Sequence, residues 1–401
     1  MADSPVGKRI QHQRQRIGMS RPVLAGLVGK SAEWLKAVEN GRLQVPRLPT
    51  LLKIARALEL SDLATLTGNG EAVPVQVFAG ERHSALTEVQ RALTEYRVTM
   101  AGSPPSVDHL GLRLRQAWHV RHSASDHRTQ LGSLLPDLIR DSQRAVRRGN
   151  GDRRAARRVL AGVYRLADFY VAYQPAPELV WMVADRALTE AQEADDPYAF
   201  AGGAWAMVGA LRDAGRWVEA IELATDAAEQ LQPYRDYGDD WHGLWGALHA
   251  EIAYVHARRG RNGDAWSHWE LADDVARRLG PDYRHVQTSF SQSVMGAHAT
   301  TLGVELRRAG EALRAADAFD ADTIVSVPRR ARHLIEVARA YHQRGETTAV
   351  LALLDKSERT ATETIQYNGF AREMLRALIA APPSGMRDDV RALATRVGIV
   401  H

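Results

Sequence analysis

The 401-residue sequence contains no cysteine. That excludes disulfides, a thiolate nucleophile and any zinc or iron–sulfur site built on sulfur. A thiol-free chain fits a reducing compartment, and a cytoplasmic location is expected. Long apolar runs are also missing. None approaches the ~20 residues that cross a bilayer, and Met1-Ala2-Asp3-Ser4-Pro5 has neither the basic nor the apolar stretch of a secretory signal. No membrane association is expected. Aromatic residues make up only 6% of the chain, and strand-like alternation is confined to Val73–Phe78. Ala, Arg and Leu dominate the middle, which is a helix-forming composition.

Enzyme signatures are lacking as well. There is no phosphate loop, no strand–Gly-x-Gly-x-x-Gly–helix unit and no Gly-x-Ser-x-Gly elbow. Neither an enzymatic activity nor a cofactor is expected. His119, His122 and His127 cluster without a carboxylate at ligand spacing. His242, His249 and His256 mark one helix face, but successive members are about 10.5 Å apart along a helix, too far to share a metal. No metal site is expected.

Charge, in contrast, is unevenly placed. Residues 1–67 hold 11 Lys+Arg against 5 Asp+Glu, a net +6, whereas the remainder carries −2. A small basic module on a near-neutral body points to an anionic partner at the N-terminus. Three domain-level segments are expected: a module over 1–68, a linker over 69–80 and a long helical body over 81–401.

The module reads as short helices punctuated by caps and glycines. The first runs from Val6 to Ile17 and stops at Gly18. The second is capped by Ser20, with Pro22 in its first turn, and ends at Gly29. The third is capped by Ser31 and stopped by Asn40-Gly41. A fourth starts near Pro49-Thr50, and Ser61-Asp62 caps a short fifth. Two helices crossing steeply need a small residue at the crossing, a turn residue that tolerates the left-handed region and an apolar inner side. Ala25, Gly29 and the set Leu24, Val28, Leu35 and Val38 meet these needs within Arg21–Asn40.

On these residues, and on the run Val38-Glu39-Asn40-Gly41, residues 6–67 resemble the Xre/phage-repressor family of five-helix, helix-turn-helix DNA-binding domains. The resemblance implies that the helix after Ser31 enters a major groove. Ala32 and Glu33 would then stand in its first turn, Ala37 one turn on, and Lys36 at the flank by a phosphate or a guanine edge. Ser31 would cap the helix and meet a phosphate. Arg21, Arg42 and Arg47 would contact phosphates, and Arg14 and Glu39 would form a structural ion pair. Trp34 departs from the small or polar residue usual there. Family members bind palindromic double-stranded operators as dimers, with half-sites roughly 34 Å apart.

In the body, Gly215, Gly260, Gly310 and Gly345 each follow an apolar–small pair, seven and eight residues back, and precede a small or apolar residue five residues on. Each glycine is expected to make the turn between two antiparallel helices. The pattern resembles tetratricopeptide repeats, which implies a helical-hairpin solenoid. The chain as a whole is therefore expected to be all-α, a five-helix repressor-like domain followed by a tetratricopeptide-like solenoid. Met386–Val397 is expected as a covering terminal helix.

In such repeats the first helix of each hairpin lines the concave face. Counting back from the glycines places Trp205, Arg212, Tyr254, Arg258, Arg307, Arg339 and His342 there. A face rich in arginine suits a carboxylate-bearing ligand or an extended peptide. The combined architecture resembles actinobacterial regulators and the peptide-sensing regulators of Gram-positive bacteria. It implies a homodimeric transcription regulator whose DNA affinity responds to a small molecule or peptide in the repeats. The alternative is a repeat-based interaction scaffold, or an antitoxin-like partner binder, with a vestigial DNA-binding domain.

Overall fold

A computed structural model describes residues 6–43, 48–58, 60, 66, 82–96, 102–148 and 151–399. The chain divides into two compact units, Met1–Ala79 and Gly80–His401. Among the described residues there is no strand, so the chain is all-α. The linker expected over 69–80 and the alternation at Val73–Phe78 lie outside the described residues.

The first unit contains α1 (Val6–Arg16), α2 (Arg21–Leu27), α3 (Ala32–Glu39) and α4 (Leu48–Ala57). Ile10, Leu24, Ala25, Val28, Leu35, Val38, Ile54 and Leu58 make its core, each at most 3% exposed. The fifth helix expected after Ser61 lies outside the described residues, apart from Leu66, which is fully buried in the same core. Gly29 turns the chain between α2 and α3 at φ +68°, a backbone region that favours glycine.

Gly7 has a different purpose. A Cβ there would lie 2.0 Å from the Val38 carbonyl oxygen, so α1 and α3 touch backbone to backbone. Gly7→Ala is expected to destabilise this unit by about 2–3 kcal/mol. Amide hydrogen exchange across α1–α3 should rise roughly 30-fold or more; unchanged exchange would mean that α1 is free to slide.

The second unit is a run of helical hairpins. It begins with α5 (Leu86–Thr94), α6 (Val107–Ser123), α7 (His127–Arg148), α8 (Arg153–Val171) and α9 (Pro177–Glu193). It continues with α10 (Pro197–Asp213), α11 (Trp217–Leu231), α12 (Asp239–Arg258), α13 (Asn262–Leu279), α14 (Gln292–Glu305) and α15 (Ala309–Asp317). It ends with α16 (Val327–Arg344), α17 (Thr347–Thr360), α18 (Thr362–Tyr367), α19 (Gly369–Ala380) and α20 (Arg387–Arg396). The terminal helix expected at Met386–Val397 is α20, and it buries Val390, Leu393 and Ala394.

The expected turn glycines are correct at Gly215, Gly260 and Gly345, all with φ between +75° and +80°. Gly310 is not a turn residue: it lies inside α15. The left-handed position in that hairpin is Arg307, at φ +61°; Tyr173 holds the equivalent position between α8 and α9, and Asp195 is the left-handed residue in the connection from α9 to α10. Shifting the third repeat by three residues restores its pattern. Position +5 becomes Ala220, Ala265, Ala312 and Val350, all fully buried. Position −7 becomes Val208, Ala253, Thr300 and Ala338, also fully buried. Small residues at these two sites let paired helices approach closely.

The second unit also closes on itself. The end of α6 meets the start of α16: His122 bonds the Ser326 hydroxyl at 3.0 Å and the Val286 carbonyl at 2.7 Å. The start of α7 meets α18: the Arg128 and Thr129 backbone amides both donate to the Glu363 carboxylate. Arg332 of α16 bonds the Tyr173 hydroxyl after α8. These contacts join residues 159 to 235 positions apart.

Candidate functional site

Helix α3 is firmly anchored in its unit. The Ser31 hydroxyl accepts a hydrogen bond from the Trp34 amide at 3.1 Å, capping the helix as expected. Leu35, Val38 and Glu39 face inward, whereas Ser31, Glu33, Lys36 and Asn40 are exposed and Ala32 and Ala37 are half-buried. The outward face is therefore short, polar and charged, with small residues between the charges. Arg42 is exposed just beyond the helix, and Arg47 lies outside the described residues. Trp34 does not project freely. It packs half-buried against the core, with the Lys30 ammonium 5.6 Å from its ring centroid.

The Glu39 carboxylate is fully buried and shared. Arg14 Nε donates to one oxygen at 2.6 Å, and Arg21 Nε donates to the other at 2.5 Å. Arg14 also donates to the Met19 carbonyl at 2.8 Å. The expected Arg14–Glu39 pair is present. Arg21, expected at a phosphate, joins this triad through its Nε, with its side chain about one-third exposed. No local pattern marks this second partner, since Arg14 alone already reaches both Glu39 oxygens, through Nε at 2.6 Å and Nη2 at 3.1 Å.

Residues 6–66 match a protein-family model described as a helix-turn-helix domain. The N-terminal unit is a helix-turn-helix domain. In that domain α2 and α3 are the paired helices, and the exposed face of α3 is the surface they present. Among curated proteins, none matches the chain. Among solved structures, the chain is similar to the apo form of ComR from S. thermophilus, at 12% identity and a TM-score of 0.28. That match covers 90% of this chain and 98% of the other. So slight a likeness bears on neither fold nor function.

In the second unit, most of the residues expected on the concave face join an internal charge network. Arg212 pairs with Asp213 at 3.1 Å and with Glu251, and lies 4.6 Å over the Tyr254 ring. Arg258 reaches Asp213 at 2.9 Å. Arg339 is held by Glu305 at 2.9 Å and Glu336 at 2.5 Å, over the Phe370 ring. Burial opposes the charge on Asp213, but the Arg212 guanidinium overrides it and keeps the carboxyl below its usual range. Asp168 has no such partner at ion-pair distance among the described residues, and burial pushes its carboxyl up to about 7.

Trp205 stacks on Phe169 at 5.8 Å. Arg307 and His342 do not join the network. Both are exposed near helix ends, Arg307 because it occupies the left-handed turn. In the corrected register the third repeat offers Val294, Ala297, Thr301 and Glu305 instead. Val294, Ala297 and Thr301 line a cleft of about 30 Å³ with His298, Arg329, Arg332, His333 and Glu336. Sequence reasoning missed Tyr173, Arg329 and Glu363. None of them stands at a repeat position counted from a glycine.

Among the described residues, no group of three His, Cys, Asp or Glu has metal-ligand geometry. His249 and His268 do meet, Nδ1 to Nδ1 at 3.0 Å, which no spacing within one helix signals. Among the described residues, no helix is long and apolar enough to cross a membrane.

Proposed function

We propose that the chain is a sequence-specific DNA-binding transcription regulator, dimeric, whose DNA affinity is set by a small molecule or peptide held in the helical second unit. Helix α3 lies in the major groove. Ser31, Ala32, Glu33, Lys36 and Ala37 face the duplex, and Arg42 and Arg47 meet phosphates. Arg21 meets a phosphate as well, since its bond to Glu39 is made through Nε and its side chain is one-third exposed. The domains follow the division into 1–68, a linker over 69–80, and 81–401. The observation that carries the reading is the face of α3: a capped, well-anchored helix whose outer residues are small, polar or charged, in a domain that matches a helix-turn-helix family. The departure that would favour the scaffold reading is Trp34, which differs from the small or polar residue usual in the family. That ring packs half-buried against its own domain, which supports the regulator reading.

Selection of fragments bound from random duplex DNA by the full chain tests the proposal. The expected product is a palindromic motif with half-sites roughly one helical turn apart; no enrichment overturns it. In the same assay, Lys36→Glu with Arg42→Glu is expected to weaken binding about 100-fold at moderate salt. The slope of log affinity against log salt should flatten by about two. An unchanged slope would remove α3 and its flank as the docking face.

A further inference from the structure

Arginines in the interior of the second unit fall into two groups. Arg212, Arg258, Arg332 and Arg339 each have a carboxylate within 3.1 Å. Arg121, Arg128, Arg165 and Arg329 have none within ion-pair distance among the described residues, and of these Arg128 is met by the Phe169 and Tyr170 carbonyls. Arg121 Nε and Nη1 are shielded from water and have no hydrogen-bond partner, although the guanidinium lies 4.8 Å over the Phe169 ring. Arg165 is only 6% exposed, and its Nε is likewise unpartnered. Among the described residues Arg329 makes one hydrogen bond, to the Thr288 carbonyl at 3.0 Å.

Arg121, Arg165 and Arg329 share one region. Arg165 and Phe169 are four residues apart on α8 and so lie on one helix face. Arg121 stacks on that same Phe169 and adjoins His122, which docks α6 on the loop and helix that carry Thr288 and Arg329. Trp205 stacks on Phe169, so the floor of the region is aromatic.

A guanidinium does not shed its proton in a protein, and burying one without a counter-charge is costly. Burial holds Arg121 down at about 9 and Arg165 at about 10. The fold carries this cost where the superhelix closes, with Arg121 Nε and Nη1 and Arg165 Nε meeting no acceptor among the described residues. Two-point donors of this kind match the oxygens of a carboxylate or a phosphate.

We propose that the closed interior of the second unit binds a small oxyanion, a carboxylate or phosphate group, with the Arg121, Arg165 and Arg329 guanidiniums over the Phe169–Trp205 floor. The proposal rests on the reading of this unit as ligand-binding and deepens it by naming the chemistry. The bound anion bridges α6, α8 and α16, and so ties the first hairpins to the later ones.

The test is calorimetry and thermal melting of the full chain with inorganic phosphate and, separately, with succinate, at ionic strength fixed with chloride. Saturable binding is expected for one of the two, and which one responds tells phosphate from carboxylate. At a hundredfold excess over Kd the melting temperature of the second unit should rise by about 4 °C. Arg121→Met and Arg165→Met keep the stems and remove the charges. Each should weaken binding at least tenfold while leaving the ligand-free melting temperature equal or higher, since an unpaired charge has gone. No saturable response to either anion overturns the site, as does an unchanged affinity in both variants. A lowered ligand-free melting temperature in both variants also overturns it, since that marks the arginines as already satisfied. DNA affinity is measured alongside. Anion binding without any change in DNA affinity leaves the site standing and refutes ligand control.

Discussion

On acidification from pH 7 to pH 5 the helical unit is expected to lose its stability and unfold, as seen by the helical circular dichroism signal. Its interior holds neutral histidines. Burial lowers His122, His285 and His298 to about 3, and His249 and His333 to about 4. In the unfolded chain each titrates near 6.5. Between the two values the unfolded state binds more protons, so stability is fully present above about pH 6.5 and drains as pH falls toward 4.

His285 and His333, 1% and 4% exposed, together cost about 4 kcal/mol at pH 5. The other three add to that, against a typical domain stability of roughly 5–15 kcal/mol. His285 shows the mechanism. Its Nε2 bonds the Tyr198 hydroxyl at 2.8 Å, and its Nδ1 accepts from the Thr288 amide at 3.1 Å. A proton on Nδ1 would break the second bond. His285→Gln should move the acid midpoint lower, and a signal flat down to pH 4 would refute the account.

Glu39→Ala is expected to unfold much of the helix-turn-helix domain while the helical unit keeps its own melting transition. The substitution leaves Arg14, 6% exposed, buried and uncompensated, and releases Arg21. Breaking a buried pair by removing one partner costs about 3–5 kcal/mol, close to all that a unit of this size has. Glu39→Gln keeps one acceptor oxygen without the charge, turns an amide N–H2 toward the other arginine, and should cost less than Glu39→Ala. Hydrogen exchange resolved to α1, α2 and α3 reads both. Equal protection in the alanine variant would show that the triad contributes nothing. DNA binding should fail with the fold in the alanine variant, in contrast to Lys36→Glu with Arg42→Glu, where α3 stays protected.

The helix-turn-helix was legible almost residue by residue. Ala25, Gly29, Leu35 and Val38 sit in the roles their spacing gave them, because all lie within one 20-residue stretch where chain connectivity brings partners together. The ring at Trp34 and the second partner of Glu39 were not legible. Both depend on which of several nearby side chains wins a shared site. In the repeats, Gly215, Gly260 and Gly345 announced their turns, whereas Arg307 took a left-handed position that composition assigns to glycine. Counting from Gly310 therefore placed Arg307 on the inner face and missed Glu305.

The sequence alone determined an all-helical chain with a basic, capped helix-turn-helix ahead of antiparallel hairpins, since helix periodicity, caps and turns are local and written within a few residues of one another. Only the tertiary structure decided that the helical unit closes, that His122, Arg128 and Glu363 form its seam, and that Arg121, Arg165 and Arg329 face its interior without acids. Those partners are separated by 204 and 235 residues in the seam bonds. Which of many similar arginines meets an acid is fixed by how far each hairpin rotates on the last, a sum of small packing angles that no local pattern encodes.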